Sequence, residues 1–281
     1  MISINRIDLH THSSVSDGTV SPSELIAYAK EKKLKAIALT DHDTIDGIHE
    51  AKESALNYNI ELVTGIELAA YYHHTELHIL GLDIDHLNPK LLHELQQIQN
   101  SRTMRNQEMI DKMSGSGIDI SMRKLMDLEG DDILTRMNFA NYLVHVGFAG
   151  SVREAFDKYI GKNCPFYVAR KRITTDFAIE LILSAGGIPV LAHPLLYHFD
   201  DVQLETTVKY LTACGLEGIE VYYSMNSGFD EVHMRHLADK YCLKYSGGSD
   251  YHGTNKPHID LGIGRRNLNI PYSVLEKLRQ R

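Results

Sequence analysis

Ile4-Asn5-Arg6-Ile7-Asp8-Leu9-His10-Thr11-His12 decides how the chain is read. Alternation along a strand of residues 4–12 puts Asp8, His10 and His12 on one face and Leu9 and Thr11 on the other. Soon after it, Ser21-Pro22-Ser23-Glu24 forms a capping box with proline at the first helical position, leading into Leu25-Ile26-Ala27-Tyr28-Ala29. A strand that ends in polar residues and feeds a helix is one unit of a parallel α/β sheet or barrel.

The unit recurs. A second strand, 35–40, ends in Asp41-His42-Asp43, and a helix is expected over about 44–57. A third strand, 60–70, carries Glu67, and a fourth, 76–83, carries His78. A helix at 175–185, closed by Gly186-Gly187, precedes a strand at 188–192 that runs into His193-Pro194. Strands at 218–223 and 244–248 follow, the latter continuing into Ser249-Asp250-Tyr251-His252-Gly253, and a last helix is expected over 272–279. Between 88 and 162 the period turns helical. Leu91, Leu92, Leu95 and Ile98 recur at that spacing, then Met109, Ile110 and Met113, with Ser114-Gly115-Ser116-Gly117 as a break. These stripes read as core. The expected architecture is an α/β barrel of seven strands over 1–87 and 163–281, interrupted by a helical insertion at 88–162.

The bulk numbers narrow the function. Of 281 residues, 43% are hydrophobic and 23% charged, enough apolar material for one large barrel. No apolar run approaches the ~18 residues of a membrane helix, and no apolar leader precedes the first strand, so a cytoplasmic protein is expected. Cys164, Cys214 and Cys242 are scattered and unpaired, which suits reduced, buried thiols and argues against a thiolate zinc site. A net charge of −8 supplies no global basic field, so stable binding of duplex nucleic acid is not expected.

The 16 histidines matter by position. Singly, each polar residue has a plain reading: His78 as a hydrogen-bonded strand residue, Asp17-Gly18 as a turn, Asp41 and Asp43 as helix caps. Together they sit where the strands of an α/β barrel converge on one mouth. His10, His12, Asp17, His42, Glu67, His78, His193, Asp250 and His252 are the candidate ligands and catalytic residues. A set of imidazoles and carboxylates without thiolate suits Mn, Fe or Zn. It exceeds the needs of one ion and suffices for two or three. Clustered divalent ions are a common arrangement for phosphoryl hydrolysis, generating hydroxide from water and polarising the phosphate.

Four segments resemble, in order and spacing, the motifs of the polymerase and histidinol phosphatase (PHP) superfamily across essentially the whole chain. They are Asp8-Leu9-His10-Thr11-His12, Thr40-Asp41-His42-Asp43, Ala192-His193-Pro194 and Gly248-Ser249-Asp250-Tyr251-His252-Gly253. The resemblance implies a distorted (β/α)7 barrel with a trinuclear centre, manganese being the expected metal. By motif, one ion takes His10, His12, Glu67 and Asp250. A second shares Glu67 and takes His78 and His193. The third takes Asp17, His42 and His252.

Asp17-Gly18-Thr19, the insertion and Ala185-Gly186-Gly187-Ile188 resemble the stand-alone nucleotide-phosphatase branch. That likeness implies hydrolysis of nucleoside 3′,5′-bisphosphates or short 5′-phosphorylated RNA by attack of a metal-bridging hydroxide, with Arg136 gripping phosphate. Two departures fall where substrate is held: Thr135-Arg136-Met137-Asn138 replaces Gly-Arg-Pro-His, and Tyr223-Ser224-Met225-Asn226 lacks a histidine after the sixth strand. They leave a cyclic phosphodiester, or another small phosphomonoester such as histidinol phosphate, as alternative substrates. Arg170-Lys171-Arg172 reads as solvated surface or as a second phosphate grip. Arg136, Lys171 and Asn226 are the expected substrate contacts. An amidohydrolase-type hydrolase is a second class, disfavoured because no lysine stands near His78. A non-catalytic nucleic-acid binder is a third, disfavoured by the intact ligand set and the charge.

Overall fold

The structure, a computed structural model, describes residues 5–129, 134–169 and 172–280. In chain order its first elements are β1 (Arg6–Asp8), α1 (Pro22–Glu31), β2 (Leu34–Leu39), α2 (Ile48–Tyr58), β3 (Glu61–Tyr72) and β4 (Thr75–Leu82). Four helices follow: α3 (Pro89–Gly115), α4 (Met122–Glu129), α5 (Arg136–His145) and α6 (Val152–Ala155). Then come β5 (Ile173–Thr174), α7 (Thr175–Ser184), β6 (Ile188–Leu191), α8 (Asp201–Ala213), β7 (Gly218–Tyr223), α9 (Gly228–Lys240), β8 (Lys244–Gly248) and α10 (Ser273–Leu278). The chain divides into two compact units, Met1–Glu94 with Ile173–Arg281, and Leu95–Arg172.

In the first unit the strands form one sheet in the order β1-β2-β3-β4-β6-β7-β8, with β5 on β3. Its ends meet. Leu9 N donates to Gly247 O (3.2 Å), Asp250 N to His10 O (2.9 Å) and His12 N to Tyr251 O (2.9 Å). This is the distorted (β/α)7 barrel. Closure requires the absent side chain of Gly248, where a Cβ would lie 2.4 Å from the backbone nitrogen of His10.

One strand departs from the parallel pattern. β4 runs antiparallel to both β3 and β6. Only His73 and His74 join Tyr72 to Thr75, and two residues permit a hairpin but never a crossover. The reversal places His78, early in β4, beside Ala69 and so near Glu67.

Ile7, Leu9, Ala36, Val63, Leu80 and Val190 fill the barrel core against Leu275 and Leu278 of α10. Each fully buried aliphatic chain contributes roughly 1.5–3 kcal/mol. The capping box at Ser21 forms as the sequence indicates, but α2 begins at Ile48, later than expected, with Gly47 as its N-cap. Residues 41–45 stay irregular because their polar side chains serve the site instead of a helix end.

The second unit has its own core, in which Met109, Met113, Leu125, Phe139 and Leu143 are fully enclosed. In the first half of α3, Leu91, Leu95 and Ile98 are buried, spaced at four and three residues, whereas Leu92 is exposed. The cysteines correct the expectation of burial: Cys164 and Cys214 are half-buried and Cys242 is exposed. No described helix is long and apolar enough to cross a membrane.

Candidate metal centre

β1 delivers His10 and His12 by pinning its own continuation to β2. Thr11 Oγ1 donates to Ala38 O (2.5 Å), and Thr40 Oγ1 donates to Thr11 O (3.1 Å). Asp8 turns away from the cluster and accepts the backbone N–H groups of Ser249 and Gly262, both at 2.8 Å. Burial pushes its carboxyl up to about 6, against the pull of those hydrogen bonds. Asp41 and Asp43 do not cap a helix. Asp41 accepts from Ser13 N (2.8 Å), Ser13 Oγ (2.7 Å) and Ser16 Oγ (2.5 Å), shaping the loop that carries Asp17. Asp43 Oδ1 accepts from Ala69 N (3.1 Å), locking the His42 segment against β3.

Glu67, buried in the middle of β3, is the hub. Its Oε2 lies 3.3 Å from His10 Nε2, 3.2 Å from His12 Nε2 and 3.1 Å from His42 Nδ1. Its Oε1 lies 2.9 Å from His78 Nδ1 and 3.1 Å from His193 Nε2. Asp250 Oδ1 stands 3.6 Å from His10 Nε2 and 3.5 Å from His12 Nε2. Asp17 gathers a further group: Oδ1 is 3.3 Å from His252 Nε2 and 3.6 Å from His12 Nδ1, and Oδ2 is 3.7 Å from His42 Nε2. All nine candidates therefore converge within the first unit. Two are held in left-handed backbone, His193 at φ +29° and Asp250 at φ +58°. Such strain costs on the order of 1 kcal/mol or more and persists where the surroundings dictate it.

Outer partners fix which nitrogen each imidazole presents. His10 Nδ1 pairs with Glu220 Oε1 (3.1 Å), and Glu220 Oε2 accepts from His193 N (2.7 Å). His252 Nδ1 donates to Asp250 O (2.9 Å). Both rings then turn Nε2, with its lone pair, toward the cluster. Asp250 Oδ2 accepts from Tyr223 Oη (2.8 Å) and Lys256 Nζ (2.6 Å). Sequence reading missed Glu220, Tyr223 and Lys256. A single carboxylate inside the apolar run Gly218-Ile219-Glu220-Val221 was the signal available for the first.

The electrostatics call for a cation. Burial pushes the Glu67 carboxyl up, but His42, His10 and His78 outweigh it and hold Glu67 well below the ordinary range. Asp250 is likewise depressed, its burial overcome chiefly by His10. In return, although burial opposes it, His12 is drawn up to about 9 by Asp250 and Glu67, and His78 to about 10 by Glu67. Burial instead takes His42 down to about 4. Protons cannot supply all the positive charge this demands. With His10 Nδ1 committed to Glu220, a second proton on His10 would sit on Nε2, which faces His12 Nε2 at 3.1 Å. Two N–H groups cannot occupy that gap. His12 Nδ1, Glu67 Oε2 and His193 Nδ1 are buried without a hydrogen-bond partner.

A divalent ion fits the arrangement. Four donors about 2.1 Å from a tetrahedral centre stand about 3.4 Å apart. His10, His12 and Glu67, one group able to hold an ion, stand 3.1 to 3.3 Å from one another, and Asp250 Oδ1 lies 3.5 and 3.6 Å from the two imidazoles. Further groups able to hold an ion are His42, Glu67 and His78, and His12, Asp17, His42 and His252.

The expected substrate contacts are placed differently. Asn226 is buried, and its amide donates to Val221 O (2.9 Å) within a turn. Arg136 opens α5 in the second unit, its guanidinium 5.7 Å from the Tyr167 ring centre. The flanking Thr135 and Asn138 form the capping box of that helix, which gives the sequence departure there a local structural role. Lys171 and Arg170 lie outside the described residues, and Arg172 donates to Tyr167 Oη (3.3 Å).

Comparison with known proteins agrees with the motifs. The PHP domain profile matches residues 8–160. A 5′-3′ exoribonuclease of Haemophilus influenzae is 34% identical over 270 residues, covering 96% of this chain and 97% of the relative. A 3′,5′-nucleoside bisphosphate phosphatase of Chromobacterium violaceum is 34% identical over 261 residues, covering 91% and 90%. A solved structure from Chromobacterium violaceum, named an amidohydrolase and holding sulfate without metal, superposes with a TM-score of 0.80 at 31% identity over 97% of this chain and 96% of the other.

Proposed function

This chain belongs to the PHP domain family, and on that footing we propose that it is a metal-dependent phosphoesterase acting on a nucleotide or a short oligonucleotide. The observation that carries the reading is the divided carboxylate of Glu67, one oxygen toward His10 and His12 and the other toward His78 and His193. A carboxylate so flanked suits a bridge between two cations.

In this reading His10, His12, Glu67 and Asp250 hold the first ion, Glu67, His78 and His193 the second, and Asp17, His42 and His252 the third, with manganese as the metal. Bound there, divalent ions supply hydroxide near neutral pH and neutralise charge on the phosphoryl oxygens. The chain's own residues do the rest. Glu220 and the Asp250 carbonyl keep the His10 and His252 rings in the tautomer that faces the centre. Tyr223 and Lys256 hold Asp250 Oδ2, leaving Oδ1 for the cluster. His10, His12, Glu67 and Asp250 are almost fully buried, which strengthens the charge interactions among them.

Two of the similar proteins are named for cleavage of nucleotide or RNA phosphates, and this chain matches each over nearly its full length. The test is phosphate release by the manganese-loaded protein from adenosine 3′,5′-bisphosphate, 5′-phosphorylated oligoribonucleotides and a cyclic phosphodiester. His10→Ala and Asp250→Ala are each expected to lower turnover by at least ~100-fold. Wild-type-like rates in both variants would end the reading. Hydrolysis of cyclic amides in preference to every phosphate ester would favour amidohydrolase chemistry instead.

A further inference from the structure

The residues that follow Asp17 and His252 also line a cavity of about 650 Å³. They are fastened together there. Thr254 N donates to Thr19 Oγ1 (2.9 Å), and Asn255 Nδ2 donates to Asp17 O (2.9 Å). The close approach depends on Gly253, at φ +64°, where a Cβ would sit 2.0 Å from Thr19 Oγ1. Gly253 and Thr254 line the cavity one and two residues beyond His252, a reach of at most about 7 Å along the chain.

The far wall is cationic. Arg265 and Arg266 line it, both exposed, and among the described residues no hydrogen bond or ion pair engages either guanidinium. Arg266 is held at φ +72°, in backbone that L side chains rarely adopt. The one carboxylate on the lining, Asp260, is already engaged by Lys32 Nζ (2.5 Å) and Tyr28 Oη (2.7 Å), so it does not neutralise the pair. Tyr28, whose ring carries Lys32 Nζ 4.9 Å from its centre, and the buried Tyr251 border the same lining. In a chain of net charge −8, two adjacent unengaged arginines facing a cavity beside the metal centre are a local exception. Arginine's planar fork of N–H donors matches phosphate oxygens, and a cationic groove of this kind tracks the backbone of a single strand.

We propose that this cavity is a subsite for the phosphodiester strand of a short oligoribonucleotide extending from the metal centre, gripped by Arg265 and Arg266. The inference rests on the phosphoesterase reading and sharpens it, because a mononucleotide held at the metals would leave the arginines unused. It predicts a chain-length preference that the ligand set alone does not.

The probe is a hydrolysis-resistant, phosphorothioate-linked tetraadenylate with a 5′-phosphate and a 3′-fluorescein, bound to the metal-loaded full chain and read by anisotropy. Arg265→Ala with Arg266→Asn is the test variant, asparagine being chosen because it tolerates left-handed backbone. Affinity for the tetraadenylate is expected to fall at least tenfold. The slope of log affinity against log salt should shrink by about 1.4, or about 0.7 per lost phosphate contact on a single strand. Displacement of the probe by adenosine 3′,5′-bisphosphate supplies the comparison, with its own affinity expected to fall by a much smaller factor. Unchanged tetraadenylate binding, or an equal loss for both ligands, overturns the subsite. Phosphate release from the bisphosphate by the unaltered protein reports on the hydrolytic reading separately. A protein that releases none yet binds tetraadenylate through the arginines would sink that reading and retain the strand site.

Discussion

Loading the metal-free protein with Mn(II) at pH 8 is expected to release about two protons. The number follows from which imidazoles are charged before the ion arrives. Despite burial, Glu67 and its neighbours draw His78 up to about 10, so it is almost fully protonated at pH 8. Asp250 and Glu67 draw His12 up to about 9, against burial, which gives an occupancy of about 0.9 at that pH. Against burial, the surrounding carboxylates draw His10 well up too, but the 3.1 Å gap between His10 Nε2 and His12 Nε2 has room for one proton only, so the pair counts once. Burial holds His42 down near 4 and His252 below its ordinary value, so both are already neutral. Ligation requires every lone pair to be free, so these imidazoles together give up about two protons at pH 8 and fewer as pH rises through 9 and 10. Calorimetric titration in Tris and in HEPES measures this directly, because the heat difference scales with protons handed to the buffer. The same groups set stability. Their folded pKa values lie above the unfolded value near 6.5, so their contribution is complete below 6.5 and is lost as pH rises through 9 and 10. The metal-free protein should lose several kcal/mol across that window, on the order of the summed shifts, while the loaded protein should not. Binding heats identical in the two buffers between pH 7.5 and 8.5 would refute the assignment of His12 and His78 as ligands.

Three further outcomes follow from particular contacts. Glu220→Gln keeps an acceptor for His193 N but removes the charge behind His10, and should weaken metal binding by roughly 10–100-fold in a competition titration; unchanged affinity would detach Glu220 from the centre. Thr135→Ala removes the side-chain cap of α5 and should cost about 1 kcal/mol in urea unfolding followed by a probe in the second unit, with no loss meaning the cap does not stabilise that helix. Gly248→Ala forces a methyl against His10 and should cost roughly 1–3 kcal/mol or more while lowering metal occupancy, and a fully loaded, equally stable variant would show that β1 and β8 do not meet as described.

The fold and the clustering of the nine candidate ligands were legible because both rest on short-range patterns. Alternation around His10 and His12, the polar ends of the strands and the capping box at Ser21 are all written within a few residues of one another. The reversed β4 left a subtler trace: only His73 and His74 separate two strand runs, and that spacing alone forbids a parallel crossover. Asp41 and Asp43 misled because an aspartate before a helix is a cap by default. Here the tertiary contacts to Ser13, Ser16 and Ala69 outweigh that preference and delay α2 until Ile48. What the sequence hid most completely is what lies behind the ligands. Glu220 reaches His10 across 210 positions, and Lys256 and Tyr223 meet on Asp250 from separate segments. No local period marks such residues, since each is set only by where the closed barrel brings it. The expected substrate contacts fall under the same rule. Asn226 is consumed by its own turn, while the unengaged arginines at 265 and 266 sit in a stretch with no motif and acquire meaning only from the cavity they line. Candidate ligands follow the strands that carry them, whereas residues on the loops take their places only once the barrel has closed.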